Sequence, residues 1–272
     1  MSRVLIVIPA RWGSTRLPGK PLVPIAGKSM LQRVVEVAVE GSRGYPEVEI
    51  VVATDDTRIQ EHAEGLGVRV VMTPVNCPTG TDRALAALRA LGGEFDAVLN
   101  VQGDTPLTPP TIIEAMVAAI YEDPTREVIT PVVPLSWAEL DTLRAQKATT
   151  PFSGTTVIRL PDGRAAWFSK QILPAMRNEE KLRAASAVSP VYRHIGIYSY
   201  RTDVLERYVS LGESFYEKLE GLEQLRALEH GIPIHTVIVH PGDRPSMSGV
   251  DSAEDVARAE ALIAAHGEVV RG

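Results

Sequence analysis

Five apolar residues in a row, Val4-Leu5-Ile6-Val7-Ile8, leave no polar face to present to water. A strand of that kind must be covered on both sides, as the strands of a parallel sheet are. The pattern then recurs. Residues 49–53, 68–72 and 96–101 are further strand-like runs. Segments with helical spacing lie between them: 29–40, with Leu31, Val34, Val35 and Val39 apolar; 57–64, closed by Gly65 or Gly67; and the Ala/Leu-rich 81–91. Strands and helices alternating at this interval predict an α/β fold with a right-handed, doubly wound, mostly parallel sheet.

After about residue 127 the pattern changes. Residues 128–133 and 155–160 read as strands, and Pro161-Asp162-Gly163 is a turn that returns the chain along 165–169. A strand at 194–200, helices at 202–209 and 216–229, a strand at 234–239 and a helix at 252–265 complete the chain. The expected picture is one domain, 1–272, whose sheet carries a smaller antiparallel extension. Segment 175–190 has few aromatics, several charges and no clear period, so it is the expected soft stretch.

Composition narrows the function. With 28 Lys+Arg against 34 Asp+Glu the net charge is −6, which attracts neither nucleic acid nor an anionic membrane. One cysteine, Cys77, excludes a disulfide framework and any multi-thiolate zinc site. No apolar run is long enough to span a bilayer, and the first strand lacks a signal-peptide cleavage pattern, so a cytoplasmic protein is expected.

Two loops stand at the carboxyl ends of predicted strands, where open α/β sheets bind ligands. Residues 9–20 hold Arg11, Arg16, Lys20, Gly13, Gly19, Ser14 and Thr15, a set suited to wrapping phosphates. Neither the dinucleotide nor the P-loop spacing is present, and a solvated basic loop is the plainer alternative. The run Asn100-Val101-Gln102-Gly103-Asp104 ends in a carboxylate able to hold Mg²⁺ beside a nucleotide, or simply in a Gly-Asp turn. Before the last helix, Asp251 or Ser252 reads first as an N-cap, unless Asp251 faces Asp104 across the crevice. His194 and the pair Glu223-Gln224 carry no signal of their own.

Taken in order, PARWGSTRLPGKPL, ATDD (53–56), TGTDR (79–83), NVQGDTP, WFSK, RHIGIYSYR, LEGLEQLR and GVDSAEDV resemble the 3-deoxy-manno-octulosonate (Kdo) cytidylyltransferases of Gram-negative cell-envelope synthesis. The likeness runs from residue 4 to about 263. It implies a Rossmann-like nucleotidyltransferase fold and transfer of CMP from CTP to the 2-hydroxyl of a 2-keto-3-deoxy sugar acid, releasing pyrophosphate, in lipopolysaccharide biosynthesis. It also implies that Arg11, Ser14, Arg16 and Lys20 bind the triphosphate. Ala10, Ala53, Thr79, Gly80, Thr81 and Arg83 would enclose cytosine and ribose, with Gln102 between ribose and sugar. Asp104 and Asp251 would hold Mg²⁺, and with Arg11 and Lys20 they form the implied catalytic set. Lys170, His194, Tyr198, Glu223 and Gln224 would meet the sugar acid. Residues 128–225 would form the acceptor-binding and dimerisation subregion of a homodimer.

Four departures from the family pattern stand out. Trp12-Gly13 replaces Tyr-Ala, Thr105 replaces a Glu, Lys170 replaces an Arg, and Ser214-Phe215-Tyr216-Glu217 replaces Ser-Pro-Leu-Glu. Most lie toward the metal or the acceptor, so an amino-modified octulosonate is an alternative acceptor. A sugar-1-phosphate nucleotidylyltransferase is the alternative enzyme, and a non-catalytic nucleotide-binding module the alternative class.

Overall fold

The computed structural model describes residues 2–14, 16–242 and 249–270. The first half runs β1 (Val4–Ala10), β2 (Pro24–Ile25), β3 (Lys28–Ser29), α1 (Met30–Ser42), β4 (Val48–Thr54), α2 (Thr57–Gly65), β5 (Arg69–Met72), α3 (Gly80–Leu91) and β6 (Ala97–Asn100). Strands β5, β4, β1 and β6 lie side by side in that order, all parallel. β1 is central, and residues 4–8 are completely buried. Its side chains alternate between two cores. Leu5 and Val7 pack with Ala84 and Leu88 of α3; Val4, Ile6 and Ile8 pack with Leu31, Val34 and Ala38 of α1. Each such side chain contributes roughly 1.5–3 kcal/mol when fully buried, which is why this strand needs no polar face.

The second half adds α4 (Pro110–Glu122), β7 (Val128–Ser136), α5 (Trp137–Thr149), β8 (Thr156–Arg159), β9 (Ala165–Ser169), α6 (Glu179–Ala185), β10 (Val188–His194), β11 (Tyr198–Arg201), α7 (Thr202–Ser210), α8 (Phe215–Glu220), α9 (Gln224–Glu229), β12 (Ile234–Ile238) and α10 (Ala253–His266). Beyond β6 the sheet continues β11-β7-β10-β8-β9, with β12 pairing β7 in parallel. The expected antiparallel extension is the β10-β8-β9 part, and the turn at 161–163 closes its hairpin with Leu160 N–H donating to Arg164 O (2.7 Å). No helix of the described residues is long and apolar enough to cross a membrane.

Three expectations need correction. The strand at 194–200 is two strands, β10 and β11, which follow β7 in line: His194 lies opposite Val132 and Ser199 opposite Ile129. The break at 195–197 is filled by Thr130, whose hydroxyl donates to Ile197 O (2.8 Å). The helix at 216–229 is also two, because Gly221 takes φ +61 and ends α8. Segment 175–190 contains α6, pinned by a two-pronged Arg144–Glu179 pair (2.8 and 2.7 Å). Helices α4 and α5 had no counterpart in the sequence reading. α4 is apolar almost throughout and buries Ile112, Ile113, Met116, Val117 and Ile120, so it shows no polar face to mark its period.

Candidate active site

The chain leaves β1 at Ala10 into the loop that ends at Lys20. Gly19 there has φ +65, and a Cβ on it would lie 2.9 Å from the Trp12 ring, so only glycine fits against the indole. The indole also carries the Arg58 guanidinium over its ring, 3.3 Å from a ring centroid and held by Asp56 (2.9 and 2.6 Å). Lys20 then opens a single 3₁₀ turn, Lys20–Leu22. Its ammonium, whose side chain is 13% exposed, donates to Asp104 Oδ2 and to Asp251 Oδ1, both at 2.8 Å.

Asp104 reaches that point because Gly103 passes against Pro9. A Cβ on Gly103 would stand 2.4 Å from the Pro9 carbonyl oxygen. Asp104 O in turn accepts from Val250 N–H (2.8 Å), which fixes the segment before α10. Ser252 caps α10 reciprocally with Asp255. That leaves the Asp251 carboxylate to Lys20 and to Arg16 (3.2 Å). Burial works against ionisation of Asp251, but Lys20 and Arg16 outweigh it and hold its carboxyl below the usual range. Thus the cap and the crevice carboxylate, alternatives in sequence, are both realised by neighbouring residues.

Two carboxylates meeting one cation form an all-oxygen donor set, which suits Mg²⁺. Among the described residues no third acidic, His or Cys ligand joins them. An ion held here would complete its shell from substrate phosphates and water, the usual arrangement for Mg²⁺. Arg11 is exposed. Ser14 Oγ accepts from Leu17 N–H (3.3 Å) and shapes the loop; Thr15 lies outside the described residues.

At the start of α3, Thr79 makes a capping box with Asp82. A Cβ on Gly80 would sit 3.3 Å from the Pro9 ring and 3.5 Å from Gln102 Oε1, so this helix start lies against both β1 and the loop after β6. Ala10 and Ala53 are buried in the floor. Arg83, expected at the cytosine and ribose, is buried and donates to Thr73 Oγ1 (2.6 Å) and Asp55 Oδ2 (2.8 Å). Its guanidinium ties α3 to the ends of β4 and β5.

The antiparallel junction carries the site onward. Tyr198 pairs with Asn100 across β11 and β6. Thr79 Oγ1 lies 3.5 Å from Glu223 Oε1, and burial pushes the Glu223 carboxyl up, opposed by Thr81 and Arg226. Gln224 is buried beside it, with Nε2 unpaired; Asn100 Oδ1 is buried and unpaired as well. Buried polar atoms without partners are rare and mark places where a ligand group fits. Asn100 was not singled out in sequence, since a strand-end Asn reads as the start of a turn.

His194 lies 5.4 Å from the Tyr198 ring and 5.0 Å from Phe168. Its Nε2 is 2.9 Å from Thr130 Oγ1. The Thr130 hydroxyl has one proton, already directed at Ile197 O, so it accepts from His194 Nε2–H and leaves Nδ1 as an acceptor. Burial, with the Lys170 charge adding to it, pushes the imidazole down to about 3, consistent with that neutral tautomer.

Lys170 N–H donates to Glu220 Oε2 (2.7 Å), and burial lowers its ammonium pKa. The Lys147 ammonium feels the charges of Lys170 and Arg193, Glu220 opposes at both lysines, and Arg193 is itself lowered by burial with Glu139 opposing. Neither cation had a signal in sequence, because α5 was not foreseen and Arg193 reads as a strand-end charge. The result is a positive corner beside a neutral histidine. A cavity of about 420 Å³ between α4, the hairpin turn and β12 touches none of these side chains.

The chain matches the cytidylyltransferase family over residues 5–234. It is 44% identical over 98% of its length to the 3-deoxy-manno-octulosonate cytidylyltransferase of Maricaulis maris (strain MCS10), covering 99% of that protein. It is 38% identical to the enzyme of the same name from Bacteroides thetaiotaomicron, covering 96% of this chain and 98% of the other. A solved CMP:2-keto-3-deoxy-manno-octonic acid synthetase complexed with CTP has a TM-score of 0.81 and 37% identity, over 97% of this chain and 99% of that one.

Proposed function

The chain belongs to the 3-deoxy-manno-octulosonate cytidylyltransferases, and from that premise we propose how its residues divide the transfer of CMP from CTP to the sugar acid. The sugar 2-hydroxyl oxygen bonds to the α-phosphorus as the bond from that phosphorus to the bridging oxygen breaks. Pyrophosphate leaves with the electron pair, and the hydroxyl proton goes to solvent. Chemistry of this kind asks the protein for positioning and charge rather than for a nucleophile.

The observation that carries the assignment is the Lys20 ammonium set between Asp104 and Asp251 at the carboxyl edge of the sheet. Arg11, Arg16 and Lys20 on the loop after β1 neutralise the triphosphate and stabilise the leaving pyrophosphate. Asp104 and Asp251 would hold Mg²⁺, which supplies charge neutralisation and a lower pKa for the attacking hydroxyl. Thr79, Gly80, Thr81 and Gln102 shape the nucleoside pocket, and Arg83 sets it from behind through Asp55.

Across the junction, Lys170 faces the acceptor carboxylate with Arg193 strengthening the field. His194 Nδ1, Tyr198, Glu223 and Gln224 receive the hydroxyls. On this reading residues 128–225 are the acceptor half. Lys170 offers a point charge where an arginine would offer a fork, so the carboxylate is held with less directional restraint.

A pyrophosphate-release assay with CTP, Mg²⁺ and a panel of 2-keto sugar acids tests the assignment. Turnover with CTP and an octulosonate, and none with UTP or dTTP, is expected. Turnover with a sugar 1-phosphate in place of the keto acid would overturn it.

A further inference from the structure

Lys147, in the last turn of α5, has an unusual set of partners. Its Nζ lies within hydrogen-bond distance of four main-chain carbonyl oxygens, Pro151 (3.4 Å), Ser153 (2.5 Å), Gly154 (3.1 Å) and Lys170 (2.5 Å), and its three protons serve the nearer three, with Pro151 sharing one of them. Among the described residues no ion pair to a carboxylate is formed. Partial burial lowers the Lys147 ammonium pKa, the charges of Lys170 and Arg193 lower it further, and Glu220 opposes them. A half-buried cation near two others is disfavoured unless the carbonyl oxygens around it compensate.

What the cage holds is the backbone of Lys170. One side of that residue is fixed by its N–H to Glu220 Oε2 (2.7 Å), and the same carboxylate takes Ser169 Oγ (2.8 Å). The other side is fixed by its carbonyl on Lys147. The three remaining oxygens belong to the loop after α5, where Gly154 turns with φ +65. Lys147 therefore ties a helix end, a loop and the end of β9 at one point.

We propose that Lys147 is a positioning residue for the acceptor: a tethered monovalent cation whose carbonyl cage aims Lys170 at the sugar acid. This rests on the reading that Lys170 meets the acceptor carboxylate. Four carbonyl oxygens around one charge are also what a free potassium or alkylammonium ion would accept once the side chain is removed.

Steady-state kinetics of Lys147→Ala, Lys170→Ala and the double variant test it, with melting curves for each. Lys147→Ala is expected to raise the acceptor KM about tenfold while CTP KM changes less than about twofold. Added ethylammonium should lower that KM again, whereas choline at equal ionic strength, too bulky for the cage, should not. The double variant should match Lys170→Ala alone, because the two act as one unit. Equal rises in both KM values, additive effects, or no response to ethylammonium would overturn the proposal. An unchanged acceptor KM in Lys170→Ala alone would overturn the reading of Lys170 itself, whatever Lys147→Ala does. Should Lys147→Ala not fold, Lys147→Met keeps the stem, removes the charge and is expected to show the same split without rescue.

Discussion

Lys20 and Asp251 stand 231 positions apart in the chain and 2.8 Å apart in space. The contact closes the crevice between the loop after β1 and the segment before α10, with Asp104 as the third member. It exists because Ser252, one residue on, takes the helix cap and leaves the Asp251 carboxylate unused by α10.

That division of labour is testable in one comparison. Asp251→Asn or Asp104→Asn should cut turnover by about 10²–10³ with little change in melting temperature, since what is lost is charge at the reacting phosphate. Ser252→Ala should do the reverse, costing about 1 kcal/mol of stability through the lost cap while turnover stays nearly intact. Near-normal rates in either Asp variant at saturating Mg²⁺ would remove these carboxylates from the reaction.

The distal phosphates provide a second check. Lys20→Ala should weaken CTP binding by calorimetry more than CMP binding, because the lost cation is assigned to the β- and γ-phosphates. Equal weakening of both nucleotides would place Lys20 elsewhere.

Gly103 offers a steric test. Its virtual Cβ meets the Pro9 carbonyl oxygen, a backbone atom inside a buried strand that has no room to retreat. Gly103→Ala should therefore cost about 1–3 kcal/mol by denaturant unfolding and displace Asp104, lowering turnover as well. Wild-type stability and rate would show that the loop shifts freely.

His194 sets a pH dependence of stability. Its imidazole titrates near 6.5 when unfolded and is held down to about 3 in the folded chain by burial and the Lys170 charge. The unfolded state thus binds more protons between those values. The contribution is fully present above about 6.5 and is lost as pH falls toward 3. His194→Gln, which retains a donor for Thr130 but does not titrate, should flatten the fall in melting temperature between pH 6.5 and 5. An unchanged slope would mean that His194 is not buried in neutral form.

Much of the first half was legible because its signals are local. Residues 4–8 must be covered on both faces whatever surrounds them, and the helices after them carry their own caps at Ser29, Asp56 and Thr79. These elements end within two residues of where periodicity and capping residues place them. The loop lysine and both aspartates stood out from their places at strand ends and before the last helix, and the family motifs assigned their roles. The second half was less readable for the opposite reason. The one local hint within 194–200 is Gly196, which does not by itself end a strand; what holds the break is Thr130, on a strand more than 60 positions earlier, filling the gap with its hydroxyl. α4 hides its period by being apolar on nearly every face.

The sequence by itself determined the parallel core and the composition of the two loops, since apolar runs, glycines and charges act over a few neighbouring residues. Only the tertiary structure decided what each charge does. Arg83 and Lys20 both belong to family motifs, and the fold sets Arg83 on Asp55 and Thr73 in the interior while Lys20 reaches two carboxylates in the crevice. Lys147 carries no motif at all: three of the carbonyls around it come from the adjoining loop, and only the fold brings up the fourth, from Lys170. A side chain's partner is set by which backbones the sheet brings within 3 Å, and that distance is fixed by packing across the whole chain rather than by the residues beside it.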